Sequence, residues 1–126
     1  MSTLTEFMTP APYTIGNDQL LSRAEAVMRE HAIRHLPVLH GGKLVGVVSQ
    51  GDLHLLATLK VDLAHATVEE AMTPDPYVVT PDTPLREVAA AMAEHKYGTA
   101  IVAQDARVVG IFTTIDALRA LSREPA

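Results

Sequence analysis

Two stretches of this chain end alike, and both carry groups able to do polar chemistry. The first reads Gly46-Val47-Val48-Ser49-Gln50-Gly51-Asp52 and the second Gly110-Ile111-Phe112-Thr113-Thr114-Ile115-Asp116. In each, an apolar run leads into a hydroxyl residue, and an Asp follows three positions later. That spacing fits a helix start. The hydroxyl caps the helix, and the Asp at the third helical position reaches back to the N–H of the cap. Such a box stabilises a helix by about 1 kcal/mol and needs no ligand. The same geometry also suits binding. A helix N-terminus offers free N–H groups and a positive dipole end, and a carboxylate there accepts two hydrogen bonds from a ribose diol. The two roles are compatible.

Other reactive side chains carry less. His31 and His35 are four apart, a spacing that binds zinc when both lie on one helix face. Pro37 and the strand pattern end that helix near Ala32, so the two rings do not share a face, and a third ligand is missing. His31 and His95 close equivalent helices, where an imidazole donor suits the last carbonyls. His40, His54 and His65 read as surface residues. Ser49 sits on a strand-to-helix turn, as the nucleophile of a hydrolase elbow does. That elbow needs Gly-x-Ser-x-Gly, and here the first Gly is one residue early. No Gly-rich phosphate loop of either standard type occurs.

The elements that must hold these motifs come twice. Sliding the chain by 64 positions aligns Thr3–Leu53 with Thr67–Ala117 without a gap and gives 17 identities in 51 positions, far more than unrelated segments share. Met8-Thr9-Pro10 recurs as Met72-Thr73-Pro74, Tyr13 as Tyr77, His31 as His95, Gly46 as Gly110 and Asp52 as Asp116. Each copy predicts a short extended segment (12–15, then 76–80) followed by a helix. In the second copy Leu85, Val88, Ala89 and Met92 form one apolar stripe, with Thr83 as N-cap and Pro84 at the first helical position. Leu21, Ala24 and Met28 do the same in the first. Two strands follow: 36–39 and 43–49 around His40-Gly41-Gly42, then 99–103 and 107–113 around Gln104-Asp105-Ala106. Helices over 51–60 and 115–121 close the copies. The segment 61–71 connects them and is rich in helix formers. Met8, Met28, Met72 and Met92 stand at repeated positions, as core residues do. The order is βαββα, twice. Neither copy buries a good core alone, so the two must pack together, about a pseudo-two-fold axis.

Composition narrows the function. An apolar fraction of 48% and a charged fraction of 20% are those of a soluble globular protein. A net charge of −5 with scattered Lys and Arg argues against nucleic acid. The absence of cysteine excludes disulfides, thiolate zinc sites and a thiol nucleophile. The N-terminus lacks a secretory pattern, and no apolar stretch is long enough to span a bilayer. These features are expected of a cytoplasmic protein with no membrane partner.

The βαββα order, the Met-Thr-Pro openings, the Arg34-His35-Leu36-Pro37-Val38 strand entry and the two Gly-x-x-Ser/Thr-x-x-Asp closures together resemble the CBS (cystathionine-beta-synthase) domain. The resemblance covers the chain from about Thr3 to Leu121. It implies an α/β (α+β) fold: one CBS pair, or Bateman module, over 1–126, with repeat one at about 3–60 and repeat two at about 67–121. It implies a stand-alone, non-catalytic regulatory protein that binds AMP, ADP, ATP or S-adenosylmethionine in clefts between the repeats, with no catalytic cofactor. Asp52 and Asp116 would hold ribose hydroxyls, and Ser49 and Thr113 would lie near ribose and phosphate. Tyr13 and Tyr77 would wall the adenine. Arg34 and His35 in one copy, and Gly98 and Thr99 in the other, would meet phosphates. The copies differ there: Gly51 leaves space beside the first closure, and the matching Ile115 is expected to fill that space beside the second. One preferred nucleotide site drawing on Arg34 and His35 follows. The family commonly forms disc-like dimers, so a homodimer is implied, with the effector protein unknown. The alternative is a ligand-free dimerisation or protein-interaction module. An enzyme reading would point to IMP dehydrogenase, which carries an inserted CBS pair, but nothing here resembles its catalytic barrel.

Overall fold

The computed structural model describes residues 3–123. A 3-10 turn (Leu4–Glu6) and strands β1 (Thr9–Pro10) and β2 (Ile15–Gly16) precede helix α1 (Leu21–His31). Strands β3 (His35–His40) and β4 (Lys43–Ser49) lead to α2 (Gln50–Thr58) and the short α3 (Val68–Ala71). The second copy supplies β5 (Thr73–Pro74), β6 (Val78–Val79), α4 (Leu85–His95), β7 (Thr99–Gln104), β8 (Arg107–Thr113) and α5 (Thr114–Arg123). The fold is mixed α+β with two four-stranded sheets.

The chain divides into two compact units, one running from Tyr13 to Asp75 and the other joining the residues up to Pro12 to those from Pro76 onward. In the Tyr13–Asp75 unit the sheet order is β2-β3-β4-β5. β2 runs parallel to β3, which requires the α1 crossover between them, and β3, β4 and β5 pair antiparallel. Its core gathers Leu21, Ala24 and Met28 from α1, Leu36, Val38 and Val48 from the hairpin, Leu53 from α2 and Val68 from α3. In the other unit the order is β1-β8-β7-β6. Its core gathers Leu4, Leu85, Val88, Met92, Ala100, Val102, Phe112 and Ala120. The apolar stripes of α1 and α4 are therefore the buried faces that periodicity predicts, and Met28 and Met92 lie in the cores. Both hairpins carry one irregularity at the same place, Val38/Leu39 and Val102/Ala103.

Each opening Met-Thr-Pro adds an edge strand to the sheet whose hairpin comes from the other copy. β1 pairs with β8 (Thr9 opposite Ile111), and β5 pairs with β4 (Thr73 opposite Val47). Pro10 and Pro74, which have no N–H to donate, are tolerated because these strands lie at the edge.

Three local expectations change. Thr83 does not cap α4. The helix starts one residue later, with Pro84 at the cap position, and Thr83 Oγ1 instead accepts from the Thr80 N–H at 3.2 Å. The extended segments form strands of only two residues, Ile15–Gly16 and Val78–Val79, set one position apart in the repeat. The Ile101 N–H donates to the Tyr77 carbonyl at 2.8 Å. The equivalent residue of β3 is Pro37, which has no N–H. β6 therefore starts at Val78, opposite Ile101, while β2 starts at Ile15, opposite Val38. Finally, His31 and His95 do not supply the donors that close their helices. Ile33 N–H reaches back to the Met28 carbonyl at 2.9 Å and Tyr97 N–H to Met92 at 3.0 Å, with Ala32 and Lys96 turned into the left-handed region. Among the described residues no helix is long and apolar enough to cross a membrane.

Candidate functional site

Parallel β2 and β3 share a direction, so the segment before Ile15 lies where β3 begins. Antiparallel β4 ends at that same edge, with Ser49 opposite His35. Tyr13, Arg34, His35, Ser49 and Asp52 thus converge on one end of one sheet. The same construction gathers Tyr77, Gly98, Thr99, Thr113 and Asp116 at the matching end of the other, with Thr113 opposite Thr99. All ten candidate residues fall into these two groups.

In the first group the capping box forms in full. Asp52 N–H donates to Ser49 Oγ at 3.1 Å, and Ser49 N–H donates to Asp52 Oδ2 at 2.9 Å. Asp52 Oδ1 has no hydrogen-bond or ion-pair partner among the described residues. The N–H of Gln50, the first helical residue, donates to the Arg34 carbonyl at 2.8 Å. That bond ties the strand entry to the helix start and leaves the Arg34 side chain exposed beside it, with His35 half-buried. Tyr13 is 51% exposed. Its ring stacks on His31 with centroids 3.8 Å apart and planes 14° from parallel.

The second group repeats the box with a different surround. Thr113 N–H donates to Asp116 Oδ2 at 2.9 Å, Thr113 Oγ1 lies 3.2 Å from the same oxygen, and Asp116 N–H points at Thr113 Oγ1 at 3.3 Å. Arg119, one turn along α5, places a guanidinium nitrogen 3.8 Å from Asp116 Oδ1, and the Asp116 side chain is only 7% exposed. Thr99 is buried. The Gly98 carbonyl accepts from the Thr114 N–H at 3.2 Å and from its hydroxyl at 3.4 Å. Tyr77 stacks on Tyr97 at 4.9 Å, and Tyr97 on His95 at 5.2 Å. Burial pushes the Tyr77 phenol above its ordinary range, and the Glu87 carboxylate and Tyr97 add to this. A Cβ at Gly51 would meet nothing nearer than Ser49 Oγ at 3.6 Å, and the matching Ile115 is 49% exposed.

Sequence reasoning missed Arg119, Thr114, Tyr97 and the stacking of both histidines. Arg119 was legible as the residue three beyond Asp116, where an opposite charge on one helix face pairs. Tyr97 aligns with Ile33, so the repeat gave no hint of it.

A family model for the CBS domain matches residues 4–56 and 68–123. The chain belongs to the CBS domain family. Among relatives of this CBS pair, the inosine-5'-monophosphate dehydrogenase of Korarchaeum cryptofilum is 31% identical over 104 residues, 82% of this chain and 21% of the enzyme. The chain spans about a fifth of that enzyme's length. Among solved structures, the CBS domain pair of protein MJ0100 in complex with 5'-methylthioadenosine and S-adenosyl-L-methionine superposes with a TM-score of 0.88 at 27% identity, covering 97% of both chains. CBSX2 in complex with AMP superposes at 0.82 with 29% identity, covering 98% of both.

Proposed function

We propose that this CBS pair is a non-catalytic regulatory module that binds an adenosine-containing ligand and transmits its occupancy as a change in conformation or in the pairing of chains. The observation that carries the reading is the twice-built hydroxyl–Asp closure at a sheet end, in a chain whose structural neighbours hold AMP and S-adenosylmethionine. In this reading the Asp accepts from ribose hydroxyls, and Ser49 or Thr113 lies toward ribose and phosphate. Tyr13 and Tyr77 flank the base. Arg34 and His35 meet phosphates with charge-assisted bonds, and Gly98 and Thr99 meet them with a backbone N–H and a hydroxyl. A ligand shifts such an equilibrium only by its differential affinity for the two states.

The test is thermal unfolding with AMP, ADP, ATP, NAD and S-adenosylmethionine at millimolar concentration. A ligand present at a hundred times its Kd stabilises by about 2.7 kcal/mol, so one of the five should raise the Tm by several degrees. No shift with any of them overturns the reading. One feature favours a second role beside the first: α5 exposes Ile115, Leu118 and Leu121, and α2 exposes Leu55 and Leu59. These helix faces suit a homodimer, which remains compatible with ligand binding.

A further inference from the structure

The two Asp closures align residue for residue, yet among the described residues only one carboxylate keeps a free oxygen. We propose that Arg119 closes the Thr113–Asp116 copy, so that the chain takes one adenosine-type ligand, at the Ser49–Asp52 copy. The inference rests on the functional reading above and adds to it which copy works and what shuts the other.

Each carboxylate commits Oδ2 to its own helix cap, so a diol must be met largely by Oδ1. On Asp52 that oxygen has no partner among the described residues, and the side chain is partly exposed. One turn along α2 stands Leu55, which carries no charge. On Asp116 the same oxygen faces the Arg119 guanidinium at 3.8 Å, and the carboxyl is nearly buried. The equivalent position in the repeat holds Arg119 where the first copy holds Leu55, an offset of 64. The hydroxyls differ too. Thr113 Oγ1 lies within hydrogen-bond distance of Asp116 Oδ2, whereas Ser49 Oγ accepts from Asp52 N–H and makes no bond to the carboxylate. At the neck of the second copy, the Thr114 hydroxyl already occupies the Gly98 carbonyl, and Thr99 is buried. At the neck of the first, the Arg34 carbonyl accepts from the Gln50 N–H, and the Arg34 side chain is exposed. A diol arriving at Asp116 must displace a cation and a hydroxyl. A diol arriving at Asp52 meets an oxygen with no partner among the described residues.

Exposed ion pairs contribute little by themselves. Here one partner is desolvated, so its attraction to the cation is screened less. Arg119 therefore acts on the ligand through Asp116 rather than as a contact of its own.

The experiment is isothermal titration of AMP into the full chain and three variants, each first checked by thermal unfolding. The wild type should bind one AMP per chain. Asp52→Asn, which keeps an oxygen for the Ser49 N–H, should weaken AMP by at least about tenfold, the scale of a lost hydrogen bond to a charged group. Arg119→Leu, which copies Leu55, should raise the stoichiometry toward two, and Arg119→Lys should keep it at one. The proposal falls if Asp52→Asn leaves AMP affinity unchanged, if the wild type already binds two, or if Arg119→Leu stays at one. A wild type that binds none of the five adenosine ligands sinks the functional reading itself, and with it this refinement.

Discussion

Gly46 and Gly110 show why two separate motifs recur together. A Cβ built on Gly46 would sit 2.6 Å from Met72 Sδ and 2.8 Å from the Thr73 carbonyl oxygen, and one on Gly110 would collide with the Met8 sulfur. The methionine of each Met-Thr-Pro thus lies on the glycine of a closure, and the short edge strand packs directly on backbone. The Thr73 oxygen cannot retreat without disturbing the β4–β5 pairing beside it. Gly46→Ala should therefore cost about 1–3 kcal/mol, the range for overpacking a tight contact. Gly51→Ala is the control. Its new methyl meets only Ser49 Oγ at 3.6 Å, inside the first turn of α2, so it should be neutral or stabilise by up to about 1 kcal/mol. Urea unfolding of the two variants checks both signs. Equal destabilisation would mean that the contact with Met72 is not what excludes a side chain at Gly46. Both glycines and both methionines stand out in the sequence as repeated residues. Their contact does not, because nothing in local spacing tells a glycine which distant side chain lies on it.

At the scale of elements, the two hairpins set the same problem and answer it with different residues. A two-residue hairpin turn needs positive φ at both central positions. The first turn uses Gly41 and Gly42, at φ 56° and 82°, and the second puts Asp105 and Ala106 at 52° and 64°. Asp tolerates this region and Ala does not, at a cost of roughly 1–2 kcal/mol for a side chain held there. Ala106→Gly should raise stability by about 1 kcal/mol or somewhat less, because glycine also gains freedom in the unfolded chain. Thermal unfolding should show a gain of several degrees. Gly41→Ala should show the opposite. A fall in Tm for Ala106→Gly would mean that unfolded-state entropy outweighs the strain. The hairpin strands, their turns and the two main helices of each copy were legible from periodicity and turn residues, and the edge strands β1 and β5 were not. What was not legible came from backbone bonds that reach beyond the pattern. The start of β6 depends on an N–H that Pro37 lacks, and the helix ends close on Ile33 and Tyr97 rather than on the histidines beside them. The capping boxes were legible because their partners lie three residues apart. The Arg119 contact that sets one box apart from the other emerged only when the copies were compared at a position the family motif does not include.

At the scale of the whole molecule, the duplication was plain, and the crossing of its opening segments was not. β1 joins residues about a hundred positions along, yet it is two residues long and exposed, so it leaves no alternating pattern to read. The closing helices leave a clearer trace. Ile115, Leu118 and Leu121 follow one another at intervals of three and stand 49%, 56% and 71% exposed on α5. Buried in a two-fold dimer, each such residue is used twice, since the same patch serves both chains. Removing one leucine from the interface then costs about 3–6 kcal/mol, twice the value of one buried side chain. Leu118→Glu should therefore weaken association by two to four orders of magnitude. It should leave the Tm of the isolated chain within about a degree or two, because the side chain already faces solvent. Sedimentation velocity at tens of micromolar should show a dimer for the wild type and a monomer for Leu118→Glu. Dimers in both would place the interface away from this end of α5, and a monomeric wild type would remove the homodimer from the reading altogether. Repeating the run with saturating AMP then asks whether occupancy changes the pairing. A dimer whose dissociation constant moves with AMP would link the Ser49–Asp52 end of one sheet to the outer face of α5, by the reciprocity that any coupled pair of equilibria must obey.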